Sequence, residues 1–204
     1  MKIKTLIFFL LIISQIINAQ KQNTFRGGGN IDIATPTGGI GAGANLDIRY
    51  NILDNFNAGI KIGSMFSSRN ISADKNELIG SITVSVINSY LIHSDYYFNF
   101  GSGIWAPFVG SGFGIYRISN VKLEINEKPD YSNLLNFSKD LKPGALLRAG
   151  VEVGWFRIGA EYNFIPRSDL YDITKNPVST TSNSYFSITA GFYLSNARWG
   201  KILF

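Results

Sequence analysis

The 204-residue chain has no cysteine. Disulfides and thiolate metal sites are therefore excluded, and an exported fold would have to find its stability elsewhere. Dense basic runs are also absent. The 19 Lys and Arg are scattered, and the net charge of +5 includes Lys2 and Lys4 at the start. That distribution argues against nucleic acid as a partner. After residue 20 no apolar stretch approaches the ~20 residues a membrane helix needs. If the chain enters a membrane, it does so as strands. No phosphate-binding glycine loop is present either: Gly27-Gly28-Gly29 opens a strand pattern, not a helix.

What is present points to β structure. There are 21 glycines, and aromatics make up 14% of residues, a mixture suited to tight turns and ring-bearing strands. The first residues read as a secretory signal. Lys2 and Lys4 precede the apolar run Leu6 to Ile13; Ser14, Gln15 and Asn18 break it, and Ala19 supplies a small residue for cleavage before Gln20. The expected organisation is a signal peptide at 1–19 and one domain at 20–204.

From Phe25 onward, segments of about ten residues alternate apolar and polar between turn signals, the pattern of a transmembrane barrel. Phe186, Ile188, Ala190, Phe192 and Leu194 oppose Tyr185, Ser187, Thr189, Gly191 and Tyr193. Ala145 to Val153 alternates with Leu146, Arg148, Gly150 and Glu152. After a turn at Gly154-Trp155, Phe156, Ile158, Ala160, Tyr162 and Phe164 alternate with Arg157, Gly159, Glu161 and Asn163. Ile40 to Tyr50 opposes Asn45, Asp47 and Arg49; Ala58, Ile60 and Ile62 oppose Asn57 and Lys61. Between 80 and 118 the register is less defined, with Val109, Phe113 and Ile115 expected outside and Gly110, Gly112 and Gly114 inside. About eight strands result. Short turns near 51–55, 99–104 and 154–155 alternate with longer polar loops near 67–77, 119–140 and 166–182, while the loop at 35–39 is short.

A soluble barrel also alternates, with its apolar face inward around a ligand. The membrane arrangement is favoured by aromatics at strand ends (Phe25, Tyr50, Phe56, Phe66, Phe156, Phe164), which would form interfacial girdles, and by the glycine-rich polar face. The expected fold is all-β: an eight-stranded antiparallel transmembrane β-barrel preceded by a signal peptide. The expected lumen charge network is Arg26, Asp32, Asp47, Arg49, Lys61, Arg148, Glu152, Arg157 and Glu161. Eight strands enclose a space that side chains just fill, so these charges are expected to pair as a plug; a gated ion path is the alternative.

The run Phe156-Arg157-Ile158-Gly159-Ala160-Glu161-Tyr162-Asn163-Phe164-Ile165-Pro166 resembles the seventh strand of small outer-membrane β-barrel proteins of Bacteroidetes. Pro107 to Tyr116 is similar to their fifth strand, and Asn183 to Phe192 to their last. The broader likeness is to the OmpA-type transmembrane domain. The resemblance implies an outer-membrane location in a Gram-negative bacterium with long loops extracellular. It also implies contact with bilayer lipid and with the barrel-assembly machinery, which reads a terminal aromatic such as Phe204. The interruption at Asn196 to Lys201 departs from that pattern.

No catalytic, cofactor-binding or metal-binding residue is assigned, and the chain is read as a structural or surface-interaction protein, not an enzyme. The only histidine, His93, stands beside Ser94 and Asp95. The trio suggests a lipid-modifying hydrolase, but adjacent strand residues point to opposite faces and a triad is defined by geometry. His93 is instead expected near the periplasmic end as an ordinary polar residue. The 119–140 loop, with Lys122, Glu124, Glu127, Lys128, Asp130, Lys139 and Asp140, could carry binding on a rigid scaffold; the sequence names no surface ligand. The other readings are a small conducting barrel and a soluble barrel that binds an apolar ligand.

Overall fold

A computed structural model describes residues 22–36, 39–71, 80–98, 105–125, 136–171 and 177–195. The expected signal peptide, the turn at 99–104, the tips of the three long loops and the stretch from Asn196 to Phe204 lie outside the described residues.

Among the described residues ten strands follow in chain order: β1 (Thr24–Pro36), β2 (Gly39–Leu53), β3 (Phe56–Ile71), β4 (Gly80–Tyr97), β5 (Trp105–Ile125), β6 (Asn136–Val153), β7 (Phe156–Phe164), β8 (Ser168–Tyr171), β9 (Pro177–Thr181) and β10 (Tyr185–Ser195). Eight of them close a barrel in the order β1-β10-β7-β6-β5-β4-β3-β2, every neighbour antiparallel; β8 and β9 form a separate hairpin. The fold is a closed eight-stranded antiparallel all-β barrel. Closure runs through β1 and β10, from Arg26 opposite Ser195 to Pro36 opposite Tyr185, which leaves no free sheet edge.

Tight turns gather at one end, here the turn end, where β1 starts and β10 stops. Asp54-Asn55 joins β2 to β3, and Gly154-Trp155 joins β6 to β7. Gly154 takes a φ of 65°, the left-handed region that a two-residue hairpin turn demands and glycine adopts without a steric penalty.

The strands differ in length for a physical reason. Nine to eleven tilted residues suffice to cross a bilayer. β7 has 9 residues and β10 has 11, but β4, β5 and β6 have 18, 21 and 18. One wall of the barrel therefore rises well past membrane height. Loops are expected at 67–77 and 119–140; the backbone instead stays paired to Ile71 and Ile125 and resumes at Asn136. Val121, Leu123 and Ile125 alternate there with Lys122 and Glu124, a strand pattern among charges that had signalled loop. The third expected loop, 166–182, holds the β8–β9 hairpin.

The interior has two zones, which corrects the expectation of a polar lumen throughout. At the loop end, Met65, Ile87, Leu91, Ile118, Leu146 and Ile165 pack together with Ala34, Tyr116 and Tyr185, all buried. On β4 the inward row runs Ser85, Ile87, Ser89, Leu91, His93, Asp95, Tyr97, so polar and aliphatic side chains alternate within one face. Aliphatic side chains fill the loop end, and each contributes ~1.5–3 kcal/mol by leaving water. Toward the turn end the interior is charged.

Candidate functional site

The charged zone is built by parity. Each strand sends every second side chain inward, and the inward positions of the turn-end half carry the ionisable residues. All nine residues expected in the lumen are buried inside the barrel. Asp95 and His93 join them, 0% and 3% exposed respectively. The described cations Arg26, Arg49, Lys61, Arg148 and Arg157 thus face an equal number of carboxylates, Asp32, Asp47, Asp95, Glu152 and Glu161.

Asp95 is the hub. Its carboxylate accepts from Arg148 Nε at 2.7 Å and Nη2 at 3.0 Å, from Arg49 Nη1 at 3.0 Å, and from Arg157 Nη1 and Nη2 at 3.0 and 3.1 Å. Gly110 makes the room: a Cβ there would lie 2.0 Å from Asp95 Oδ1. Asp47 is the second node. It accepts from Arg49 Nε at 2.8 Å and from Arg148 Nη1 at 3.3 Å. Arg49 and Arg148 tie the nodes together, each bonded to both carboxylates, and Tyr193 packs against Arg49. Its hydroxyl donates to Asn30 Oδ1 at 3.1 Å and accepts from Asn30 Nδ2 at 2.8 Å, while its ring lies 4.1 Å from the Arg49 guanidinium carbon. The Arg157 guanidinium stacks 3.4 Å from the Phe108 ring centroid, a cation–π contact in a desolvated setting.

Register and pairing differ in an informative way. β6 and β7 place Arg148 opposite Glu161 and Glu152 opposite Arg157, so a local hairpin ladder was available. Arg148 keeps its register partner Glu161 at 3.7 Å, but the shorter contacts reach across the lumen. Glu152 binds Arg26 on β1 through two hydrogen bonds of 2.8 and 3.1 Å. Lys61 on β3 is bonded to Glu161 on β7, and Arg148 on β6 reaches Asp47 on β2; in the order of the closed sheet these are opposite walls. Buried charges that lose water must find counter-charges and hydrogen bonds, and here they find them by bridging the barrel. Asp32 is held less completely. Its Oδ2 accepts from Asn45 at 2.7 Å, but Oδ1 has no hydrogen-bond partner among the described residues. It borders a cavity of ≈ 10 Å³ lined also by Lys61, Gly63 and Tyr185, too small for a hydrated ion.

His93 lies in the turn-end half of β4, as expected, but it is a buried member of this network and not an isolated polar residue. Its Nε2 lies 2.9 Å from Asp47 Oδ1, and its Nδ1 faces Arg148 Nη2. A guanidinium can only donate, so Nδ1 accepts and the Nε2–H donates to Asp47. Ser94 points to the opposite, outer face, across from Ser111 of β5. The trio His93, Ser94 and Asp95 is therefore split between two faces. The signal that could have found Asp95 and His93 was parity with Leu91 and Tyr97, together with the small residues Gly110 and Gly112 opposite them.

The outer surface is the converse of the lumen. Ile31, Ile33, Ile40, Leu46, Ile48 and Ile158 are each more than half exposed. Toward the turn end stand Phe25, Tyr96, Trp105, Trp155 and Phe156; nearer the loop end stand Phe66, Tyr162 and Phe164. Tyr50 and Phe56 lie on the same outer face, half-buried, with the Tyr50 ring 4.9 Å from that of Phe25. A closed barrel with an apolar belt, flanking aromatics and a charged interior is a transmembrane barrel. No helix among the described residues is long and apolar enough to cross a membrane; the strands do so.

No family model and no curated protein matches the chain. Solved structures similar to it are outer-membrane barrels. A major outer membrane protein from Thermus thermophilus aligns with a TM-score of 0.46 and 11% identity over 83% of this chain and 99% of that one. Neisserial surface protein A aligns with a TM-score of 0.43 and 11% identity over 84% and 95% of the two chains. The N-terminal β-barrel domain of Pseudomonas aeruginosa OprF aligns with a TM-score of 0.40 and 13% identity over 86% and 100%.

Proposed function

We propose that this chain is an integral outer-membrane protein of a Gram-negative bacterium, with a structural or surface-interaction role and a lumen closed to solutes. The observation that carries the reading is the bridging of the lumen by ion pairs between strands that are not neighbours, Arg26 to Glu152, Lys61 to Glu161 and Arg148 to Asp47. A conducting barrel of eight strands would need those side chains to clear a path, yet each is held by a partner on another strand. The apolar cluster beyond them closes the loop end. In this reading the tall β3–β6 wall and the β8–β9 hairpin carry the loops outside the cell, the turn end faces the periplasm, and the assembly machinery inserts the chain. The engagement of both His93 ring nitrogens by a carboxylate and a guanidinium supports a structural role for that residue and no catalytic one.

The test has two readouts. Protein refolded in detergent should run at a different apparent size before and after boiling, because a closed barrel resists the detergent until heated. In planar bilayers it should give no steady conductance. Regular single-channel steps from folded protein would overturn the closed-lumen reading while leaving the membrane assignment intact.

A further inference from the structure

The outer face of the barrel strands carries one charged side chain among the residues whose side chains are described, Arg117 on β5. Its neighbours on that strand's outer face toward the turn end, Phe113 and Ile115, are exposed and apolar. A cation on a lipid-facing position costs ~2–4 kcal/mol at the bilayer midplane and little near the interface, so its depth matters. Arg117 lies twelve positions along β5 from Trp105, which marks the turn-end girdle. At about 3.3 Å per residue and a tilt of about 40°, that separation is ~30 Å along the barrel axis, against an apolar band about 25 Å tall. Arg117 therefore sits where the hydrocarbon ends and headgroups begin at the loop end.

Its register neighbours are polar as well. Asn88 on β4 is directly opposite Arg117, and Ser64 on β3 is directly opposite Asn88. All three face outward. The row one step nearer the turn end is Ile62, Tyr90 and Ile115, without charge or amide. The Ser64 hydroxyl donates to Asn88 Oδ1 at 2.6 Å. That bond occupies the amide oxygen and leaves the amide nitrogen, a double donor, for another partner. Arg117 is likewise a pure donor, with no hydrogen bond or ion pair to any described residue. Residues directly opposite in an antiparallel pair have Cα atoms ~4.5–5.5 Å apart. Two unengaged donor groups at that spacing, one of them cationic, match the oxygens of a phosphate group.

We propose that Arg117 and Asn88 form a binding site for the phosphate of a net-anionic outer-leaflet lipid headgroup, one whose phosphate is not neutralised by its own ammonium group, with Ser64 orienting the amide and Tyr90 and Ile115 flanking the acyl chain below. The inference rests on the membrane reading with the loop end outward.

The test uses full-length protein in nanodiscs of mixed phosphatidylglycerol and phosphatidylcholine, with retained lipid counted by native mass spectrometry after mild activation. The parent protein should retain phosphatidylglycerol over phosphatidylcholine. Arg117→Gln should reduce that preference about tenfold, the loss of roughly one charge-assisted contact, and Asn88→Leu should reduce it by less. Arg167→Gln, which removes an exposed cation outside this row, should change nothing. Equal retention by the parent and Arg117→Gln would overturn the site. Loss of the preference in Arg167→Gln to the same degree would overturn it too, by showing a diffuse charge effect. Heat-modifiable migration of every variant reports insertion separately, so a failed membrane reading shows there and not in the lipid count.

Discussion

Replacing Asp95 with asparagine removes one charge and almost no volume. The pocket that Gly110 leaves for the side chain stays as it is, so the effect is electrostatic. Asp95 is fully buried and takes hydrogen bonds from Arg49, Arg148 and Arg157. Hydrogen bonds to a charged group contribute ~1.5–3 kcal/mol each, but they are not additive, and the neutral amide oxygen can still accept one or two. Breaking a buried ion pair by removing one partner costs ~3–5 kcal/mol. Asp95→Asn leaves three guanidiniums around a neutral group and gives the described lumen an excess of one positive charge. The expected loss is therefore in that range.

For a chain of this size 1 kcal/mol corresponds to about 2–4 °C, so the temperature of the boiling-dependent mobility shift in detergent should fall by roughly 10 °C. Circular dichroism at low temperature should still report a full β signal. The double variant Asp95→Asn with Arg157→Met removes the excess charge and should recover a measurable part of the loss, a coupling that a double-mutant cycle isolates. If Asp95→Asn melts within about 2 °C of the parent, the hub does not hold the barrel and the reasoning fails.

Placing a lysine at Ile31, on the apolar belt, should cost ~2–4 kcal/mol if that residue meets hydrocarbon; insertion yield into lipid vesicles should drop, and an unchanged yield would put that face in water. At Gly28 an added Cβ would lie 2.4 Å from Tyr193 Cδ1 and 2.3 Å from the Phe192 carbonyl oxygen, so Gly28→Ala should lower folding yield, measured as the heat-modifiable fraction after refolding. Reversing one partner of the Arg26–Glu152 pair should destabilise strongly, and the swapped pair Arg26→Glu with Glu152→Arg should regain stability over either single variant, read from the same thermal shift.

The alternation was legible because lipid enforces it. One charged residue on the belt is expensive, so the outward rows of β1, β2, β7 and β10 are free of charge and the inward parity follows at once. Arg148, Glu152, Arg157 and Glu161 could be placed inside from that rule alone. Their partners could not. The sequence shows which residues share the lumen, but a side chain in an eight-stranded barrel reaches several strands, and Glu152 pairs with Arg26 on β1 although Arg157 stands beside it in register. Asp95 was obscured by its neighbours: His93, Ser94 and Asp95 invite a chemical reading as a unit, whereas a strand assigns the first and third to the lumen and the second to the belt. Above the membrane the enforcing solvent changes to water, charges such as Lys122, Glu124, Asp140 and Lys142 crowd the sequence of β5 and β6, and paired backbone reads as loop.

A transmembrane barrel gains no net hydrophobic stabilisation from its outer face alone, because a misfolded chain in the same bilayer can also bury those residues in lipid. What distinguishes the closed state is the interior. The apolar cluster around Leu91, Tyr116 and Leu146 fills the loop end without directional bonds, and many rotations of the strands could satisfy it. The ion pairs are less permissive. Arg26 meets Glu152, Lys61 meets Glu161 and Arg148 meets Asp95 only if β1, β3, β4, β6 and β7 stand at one shear, and a slip of two residues on any strand would strand a buried charge at a cost of several kcal/mol. The two zones thus divide the work: the aliphatic end supplies burial, and the charged end selects the register in which that burial occurs.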